Sequence, residues 1–185
     1  MKKLLTFLAT VLVSTGAMAG TRPFNLSLTP DIAVYSRSDT IEGLTLSVWG
    51  ENQQTSLALG IANGAIGQSA GLSVGFLNYA ENYKGLQWGL VNYTDKDFAG
   101  WQGGPFFGLV VSVVNYTGGT MKGFQAGVVN YAGTLTGLQL GVVNYAEAAD
   151  GGVQIGLVNI IPPNPWFSGL PDALAPGMIL VNWRF

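Results

Sequence analysis

The chain of 185 residues contains no cysteine and no histidine. Without cysteine, disulfides cannot stabilise the fold, so stability must come from burial and hydrogen bonding. Catalytic sites that pair serine or cysteine with histidine are excluded, and a zinc site would have only carboxylate ligands, which is unusual. The carboxylates Asp95 and Asp97 are interpreted as solvated loop residues. The composition predicts that the protein is not an enzyme and has no metal or other cofactor.

Charged residues are also scarce, at 10% of the chain, whereas 48% of the residues are hydrophobic. Soluble domains carry about 25% charged residues. No cluster of basic residues is present, which argues against nucleic acid as a partner. Beyond the N-terminus, no apolar run approaches the length of about 18 residues that a membrane-spanning helix needs. Because a closed β-barrel also satisfies its own backbone in a bilayer, the composition favours a barrel in contact with lipid.

The N-terminus has the pattern of a secretory signal peptide. Lys2 and Lys3 precede the apolar stretch 4–13, which is too short to span a bilayer as a helix. The sequence Ala17-Met18-Ala19 then matches a small-x-small cleavage site. We expect cleavage after Ala19, which gives a signal peptide over 1–19 and a single mature domain over 20–185.

A nine-residue motif, G-L-Q-x-G-V-V-N-Y, recurs along the middle of the chain. The starts are about 13 to 15 residues apart, with one longer step after Gly85. Clear copies begin at Gly85, Gly123, Gly137 and Gly152, and weaker copies begin at Gly43, Ser56, Gly71 and Gly108. A period of about 14 residues therefore organises most of the mature chain.

Each copy alternates between large apolar residues and small or amide residues. In the copy that begins at Gly85, the leucines and the tryptophan fall on one face, and Gln87, Gly89 and Val91 fall on the other. This period of two predicts β-strands, and an apolar outer face with a polar inner face is typical of a transmembrane strand. The candidate lumen-lining residues are Gln87, Gln125, Gln139 and Gln154.

The fold predicted from these strands is an all-β, antiparallel, up-and-down transmembrane β-barrel of about ten strands, with eight possible. The strands are expected at 24–36, 43–50, 55–63, 71–79, 85–93, 106–116, 123–131, 137–145, 152–160 and 178–185. The longest connections, Thr94–Pro105 and Ile161–Gly177, then lie on the outside of the cell. Their aromatic residues Trp101, Trp166 and Phe167 are candidates for contact with an extracellular ligand of unknown chemistry.

The last eight residues resemble the C-terminal signal of bacterial outer-membrane β-barrels. The chain ends in Phe185, and Ile179, Val181 and Trp183 alternate before it. This resemblance implies that the barrel-assembly machinery recognises the final strand. The internal repeats resemble those of bacterial surface-repeat proteins of largely unknown function. Both resemblances imply the cell outer membrane of a Gram-negative bacterium as the location.

Each clear copy except the last ends in Asn-Tyr, and the placement of these two residues stays open. The asparagines are interpreted as strand-end residues at the lipid interface, and the tyrosines as parts of aromatic girdles. Strict alternation, however, places Tyr93 on the same face as Gln87. Either a bulge at Asn-Tyr reverses the alternation, or the tyrosine points inward at the rim of the barrel.

Two functional readings follow from the repeats. The first is an outer-membrane barrel of structural, surface-exposed or narrow-pore type, with outer-membrane lipid as its partner and without catalysis. The alternative is a secreted, soluble β-solenoid that acts as a surface interaction module. In the solenoid, each repeat forms one coil of a parallel stack. This alternative predicts ladders of Asn and Tyr, with all tyrosines in one row.

Overall fold

The protein is a parallel β-solenoid. A computed structural model describes residues 19–106, 109–110, 112–162, 164 and 177–185. The strands of each repeat pair in parallel with the equivalent strands of the repeats before and after it. The expected antiparallel, up-and-down barrel of ten strands is therefore wrong. Within the described residues, no helix has the length and hydropathy needed to cross a bilayer.

The strands run around the solenoid and continue through its corners, so several are long. β10 covers 49 residues because three successive repeats follow one another without a break. The strands in the described part of the chain are β1 (Thr21–Thr29), β2 (Ile32–Ala33), β3 (Thr40–Gln54), β4 (Leu57–Val74), β5 (Leu77–Trp88), β6 (Val91–Thr94), β7 (Phe98–Gly103), β8 (Pro105–Phe106), β9 (Leu109–Val110), β10 (Ser112–Ile160) and β11 (Gly177–Arg184).

The register shows how one repeat becomes one turn. Gly71 pairs with Gly85, Gly85 with Gly100, and Gly100 with Gly123. Each first glycine of a repeat therefore lies directly above that of the next. The stretches between the motif copies also pair in parallel with those of the neighbouring turns, as Tyr83 does with Phe98. The chain thus returns to the same side before the next repeat begins, and this geometry makes the pairing parallel.

The first glycine of each repeat is required by the backbone. At Gly123, φ is 127°, a region that residues with a side chain rarely adopt. A Cβ atom at this position would also collide with the backbone carbonyl of Gly100 in the preceding turn. Only glycine allows the coils to approach at this corner, which explains why the motif begins with it.

Antiparallel strands occur at the two ends of the described stack. At the N-terminal end, β1 pairs in parallel with β3, and β2 folds back against β1. At the C-terminal end, β11 pairs antiparallel with the last repeat of β10, with Trp183 opposite Val153. The expected last strand thus exists, but it covers the final coil and does not close a barrel.

The expected outer loop Thr94–Pro105 is part of the repeat stack, which corrects its assignment. It contains β7, whose Trp101 and Gln102 pair in register with the repeats on both sides. Trp101 is therefore a repeat residue and not an outer-loop aromatic. A short antiparallel hairpin, β8 and β9, is inserted between β7 and β10. Trp166 and Phe167 lie outside the described residues, as do the first 18 residues of the predicted signal peptide.

Candidate interaction surface

One row of interior side chains consists of glutamines. Each glutamine after the first donates a hydrogen bond from Nε2 to Oε1 of the glutamine in the preceding turn, at 2.8 Å. The row contains Gln87, Gln102, Gln125, Gln139 and Gln154, all at most 1% exposed. The glutamines expected to line a lumen therefore fill the centre of the solenoid and bond to one another, and within the described residues only Oε1 of Gln154, at the end of the row, has no partner.

Gln102 was missed in the sequence because its repeat is interrupted. The copy that begins at Gly100 runs G-W-Q-G-G and resumes with V-V-N-Y at Val113. The intervening residues contain the β8–β9 hairpin. The spacing of Gly100 from Gly85, 15 residues in the register, was the signal that could have identified this copy.

A second interior row consists of asparagines. In each case, Nδ2 donates to Oδ1 of the asparagine in the following turn, at 2.7 to 3.0 Å. The row contains Asn63, Asn78, Asn92, Asn115, Asn130, Asn144 and Asn159. The expected position at a lipid interface is wrong, since all of these side chains are buried.

The position of the asparagine row shows whether the tyrosines point inward or outward. Gln87 and Asn92 lie five positions apart, an odd spacing that would put them on opposite faces of a straight strand. Both nevertheless point into the solenoid, because the chain turns a corner near Gly89. Tyr93, which follows Asn92, consequently points outward, and it is 39% exposed. The alternation therefore reverses before Asn-Tyr, at the glycine corner.

A third interior row is apolar. Tyr83, Phe98, Met121 and Leu135 occupy successive turns at one corner and are at most 3% exposed. The rings of Tyr83 and Phe98 stack, with their centroids 6.3 Å apart. Burial raises the pKa of the Tyr83 hydroxyl. This hydroxyl has no hydrogen-bond partner among the described residues. Together with the two amide rows, this corner fills the interior.

The outside of the solenoid is divided sharply by charge. The segment from the first glycine to the asparagine contains no charged residue in any repeat. These segments are 43–50, 56–63, 71–78, 85–92, 100–115, 123–130, 137–144 and 152–159. We call their outward side chains the apolar surface. The charged residues of the repeats all lie in the stretches between, whose outward side chains we call the polar face.

Large side chains on the apolar surface are exposed to a degree that is unusual for a soluble protein. Ile61 is 55% exposed, Phe76 is 64% exposed and Leu157 is 60% exposed. An apolar groove of about 330 Å³ runs between Val74, Phe76, Trp88 and Leu90. A contiguous exposed apolar patch of more than a few hundred Å² marks an interaction site.

The chain end continues this surface. Within β11, Val181 pairs with Ile155 and Trp183 with Val153, so these side chains project on the same side as the apolar surface. The four residues of the expected barrel-assembly signal are exposed, at 76% for Ile179, 38% for Val181, 39% for Trp183 and 79% for Phe185. Their recognition by an assembly machinery stays a prediction.

One edge of the apolar surface is a row of stacked tyrosines. The ring centroids are 4.9, 4.6 and 5.5 Å apart, and the rings are nearly parallel. The row consists of Tyr93, Tyr116, Tyr131 and Tyr145. The tyrosine ladder predicted by the solenoid alternative is confirmed for these four residues, whereas Tyr83 lies in the interior and Tyr35 packs against Phe24.

Carboxylates of the polar face hold two of the outward tyrosine hydroxyls. Tyr131 donates to Oε1 of Glu147 at 2.5 Å, and Tyr79 donates to Oε2 of Glu51 at 2.6 Å. The hydrogen bond to Glu147, together with desolvation, raises the pKa of Tyr131 to about 12. For Tyr79, burial and then the bond to Glu51 raise the pKa to about 12. These hydroxyls are therefore fixed donors at neutral pH.

The other edge of the apolar surface carries lysines. Lys84 and Lys122 immediately precede the first glycines of their repeats, Gly85 and Gly123. Both pair in register with Ala99 in the turn between them. Lysine occupies this edge in the two turns that begin at Gly85 and Gly123, whereas the equivalent position is Glu42 before Gly43 and Ala70 before Gly71.

No group of three or more acidic side chains that could hold a metal ion occurs in the described part of the chain. Comparisons with models of protein families, with curated proteins and with solved structures find no match for this chain.

Proposed function

We propose that this protein is an exported β-solenoid that acts as a surface interaction module and that its apolar surface lies in the outer leaflet of a membrane. The single observation that carries the proposal is the separation of charge, since the apolar surface has no charged residue in any repeat. The polar face would then be presented to water. The signal peptide pattern and the C-terminal resemblance support the bacterial outer membrane as the location.

The borders of the apolar surface favour lipid over a protein partner. Tyrosine is enriched where a protein crosses the boundary between hydrocarbon and water, and lysine can reach from an apolar surface to the headgroups. Tyr116 and Tyr131 border one side, and Lys84 and Lys122 border the other. The same division of apolar and charged faces places amphipathic helices in the plane of a membrane.

A solenoid can also meet lipid without leaving backbone groups unpaired along its sides. Unpaired backbone groups cost several kcal/mol each in hydrocarbon. The N–H and C=O groups of each turn pair with the turns above and below, as in the register of β4 with β5. The interior asparagines also donate hydrogen bonds to backbone carbonyls at the corners of the coils. Asn130, for example, donates to the carbonyl oxygen of Leu140 at 2.9 Å.

Vesicle flotation tests this proposal. The mature chain, residues 20–185, is mixed with phospholipid vesicles and centrifuged through a density gradient. The double variant L140D and V142D places two carboxylates on the apolar surface, where these side chains are 40% and 43% exposed. The matched control T134D and T136D places two carboxylates on the polar face of the preceding coil. We expect the wild-type chain and the control to float and the apolar-surface variant to remain at the bottom.

The proposal would be wrong if the wild-type chain did not float, or if both double variants floated equally well. Light scattering in the absence of vesicles tests the competing possibility, in which a second copy of the chain covers the apolar surface. A stable dimer that L140D and V142D dissociate, with no binding to vesicles, would assign the apolar surface to self-association.

A further inference from the structure

A cleft of about 400 Å³ crosses several turns at the lysine edge of the polar face. Its walls include Asn82, Lys84, Asp97, Ala99, Thr120 and Lys122. None of these six residues belongs to the interior rows, although Tyr83 and Phe98 of the apolar row also line the cleft.

The register explains why a cleft exists here. Ala99 pairs with Lys84 on one side and with Lys122 on the other. Because neighbouring strands lie about 4.8 Å apart, the Cα atoms of the two lysines are separated by roughly 10 Å. The methyl group of Ala99 leaves the space between them open, and the long, flexible lysine side chains can converge above it.

The charges in this cleft are not balanced. Neither lysine forms an ion pair in the described part of the chain, where Arg22 and Arg37 supply the salt bridges. Asp97 is the carboxylate of the cleft, and its Oδ1 already accepts a hydrogen bond from the Thr120 backbone N–H at 2.8 Å. Two ammonium groups therefore face one carboxylate, although the chain has a formal net charge of −2.

The neutral groups in the cleft are also suited to donate. Oδ1 of Asn82 accepts from the Asp97 backbone N–H at 3.4 Å, which directs the amide oxygen to the protein. The Nδ2 group of Asn82 and the hydroxyl of Thr120 have no other described partner and can donate to a ligand. Lysine and amide donors around an open space match an anion with several acceptor oxygens.

The geometry points to a binding site for the phosphate group of a phosphate ester, with Lys84 and Lys122 on its two sides. Inorganic phosphate and soluble phosphate esters could fill this site independently of the proposed function. A lipid headgroup is the second source of the same chemistry. This source rests on the proposed function, since the cleft lies at the border of the apolar surface, at the level that headgroups would occupy.

Equilibrium dialysis with labelled inorganic phosphate at low salt measures the site directly. In the double variant K84Q and K122Q we expect the affinity for phosphate to fall at least tenfold. The matched control K96Q removes one exposed lysine of the polar face that does not line the cleft, and we expect unchanged affinity. The variant A99L keeps both lysines and fills the gap between them, so it should also lose binding. Unchanged thermal unfolding would show that each variant is folded.

Flotation with two kinds of vesicle distinguishes the sources of phosphate. The vesicles contain either a phospholipid or an uncharged glycolipid without phosphate. If K84Q and K122Q weaken flotation with phospholipid but not with glycolipid, the lipid headgroup is a source. If phosphate binding is lost in the variants while flotation is the same with both vesicles, the site takes soluble phosphate.

Two results would overturn the site. The first is equal affinity of the wild-type chain, the double variant and K96Q for phosphate, with no preference for phospholipid vesicles. The second is an equal loss of affinity in K96Q and the double variant, which would indicate general charge attraction. If no vesicle binds the chain but phosphate does, and the variants abolish this binding, the proposed function fails and the phosphate site stands.

Discussion

Asn115 donates a hydrogen bond from Nδ2 to Oδ1 of Asn130 at 2.9 Å, and both side chains are completely buried. Asn130 in turn donates to Asn144 at 2.8 Å. Each amide is therefore donor and acceptor at the same time. The stack is specified by these continuous polar rows as much as by apolar burial, because an interruption leaves unpaired groups in two neighbouring turns.

The substitution Asn130→Ala should destabilise the protein strongly. It leaves Nδ2 of Asn115 and Oδ1 of Asn144 without their partners, and each unpaired buried group costs about 1–3 kcal/mol. We expect a loss of about 2–4 kcal/mol in the free energy of unfolding, measured by denaturant titration. Thr134→Ala, on the outside of the same coil, should change stability by less than about 0.5 kcal/mol. Similar effects of both substitutions would contradict a structural role for the asparagine row.

The first glycine of a repeat should tolerate no side chain. In Gly123→Ala, the new methyl group would collide with the carbonyl of Gly100, at a φ of 127°. Overpacking and backbone strain each cost about 1–3 kcal/mol. Gly151→Ala is the control, since Gly151 has a φ of 78° but no atom within 4 Å of the added Cβ. We expect a much larger fall in the melting temperature for Gly123→Ala, and equal falls would show that contact with the preceding turn does not matter.

Deletion of residues 105–112 should leave the solenoid folded. The deletion joins Gly104 to Val113 and produces G-W-Q-G-G-V-V-N-Y, which restores the spacing of the nine-residue motif. It removes the β8–β9 hairpin and the hydrogen bond that Ser112 donates to the Gly89 carbonyl at 2.8 Å. We expect an unchanged β-sheet circular dichroism spectrum and a small fall in melting temperature.

A deletion of the same length at 124–131 serves as the control. It removes one residue each from the glutamine and asparagine rows, Gln125 and Asn130, and should prevent cooperative unfolding. If the deletion of 105–112 caused the same loss of structure, the hairpin would be part of the stack and not an insertion.

Much of the local structure could be predicted from the sequence, but the direction of pairing could not. Leu86 and Trp88 do lie on the opposite face from Gln87, because period-two alternation holds within one side of a coil. The same alternation occurs in a barrel strand and in a solenoid strand, so it does not distinguish antiparallel from parallel partners. An apolar outer face also suits a transmembrane barrel, so it does not distinguish the two folds either.

One spacing in the motif did contain information on the coil. Gln87 and Asn92 are both polar and lie five positions apart in the sequence. Because this spacing is odd, they cannot share one face of a continuous strand. A corner between them is the simplest way to bury both.

The buried hydroxyl of Tyr83 should contribute nothing to stability. It is stacked on Phe98 in the apolar corner and has no hydrogen-bond partner among the described residues. An unpaired buried polar group costs about 1–3 kcal/mol, and the ring itself supplies the packing. We therefore expect Tyr83→Phe to raise the free energy of unfolding by up to about 1 kcal/mol. Phe98→Ala, which removes the stacked ring, should lower it by about 3–5 kcal/mol. A clear loss of stability in Tyr83→Phe would indicate a partner for the hydroxyl.

The bond between Tyr131 and Glu147 should be visible in alkaline titration. The hydrogen bond to Glu147, followed by desolvation and the charge of Glu147, raises the pKa of Tyr131 from its ordinary value of 10.0 to about 12. Because the folded protein holds this proton more tightly than the unfolded chain, the stabilisation is present below pH 10 and is lost as the pH rises towards 12. In Glu147→Gln, we expect one tyrosine to titrate closer to its ordinary value, as measured by near-ultraviolet tyrosinate absorbance.

Glu81→Gln is the matched control for that titration, since Glu81 accepts from the backbone N–H of Gly67 and not from a tyrosine. The two variants remove the same charge from the same face, so a difference between their curves separates the local effect of Glu147, through its hydrogen bond and its charge, from the effect of net charge. Identical curves would mean that Glu147 affects the titration of Tyr131 no more than Glu81 does. The stacked tyrosine row would then be held by ring contacts, such as the 4.6 Å separation of Tyr116 and Tyr131, without help from the carboxylate.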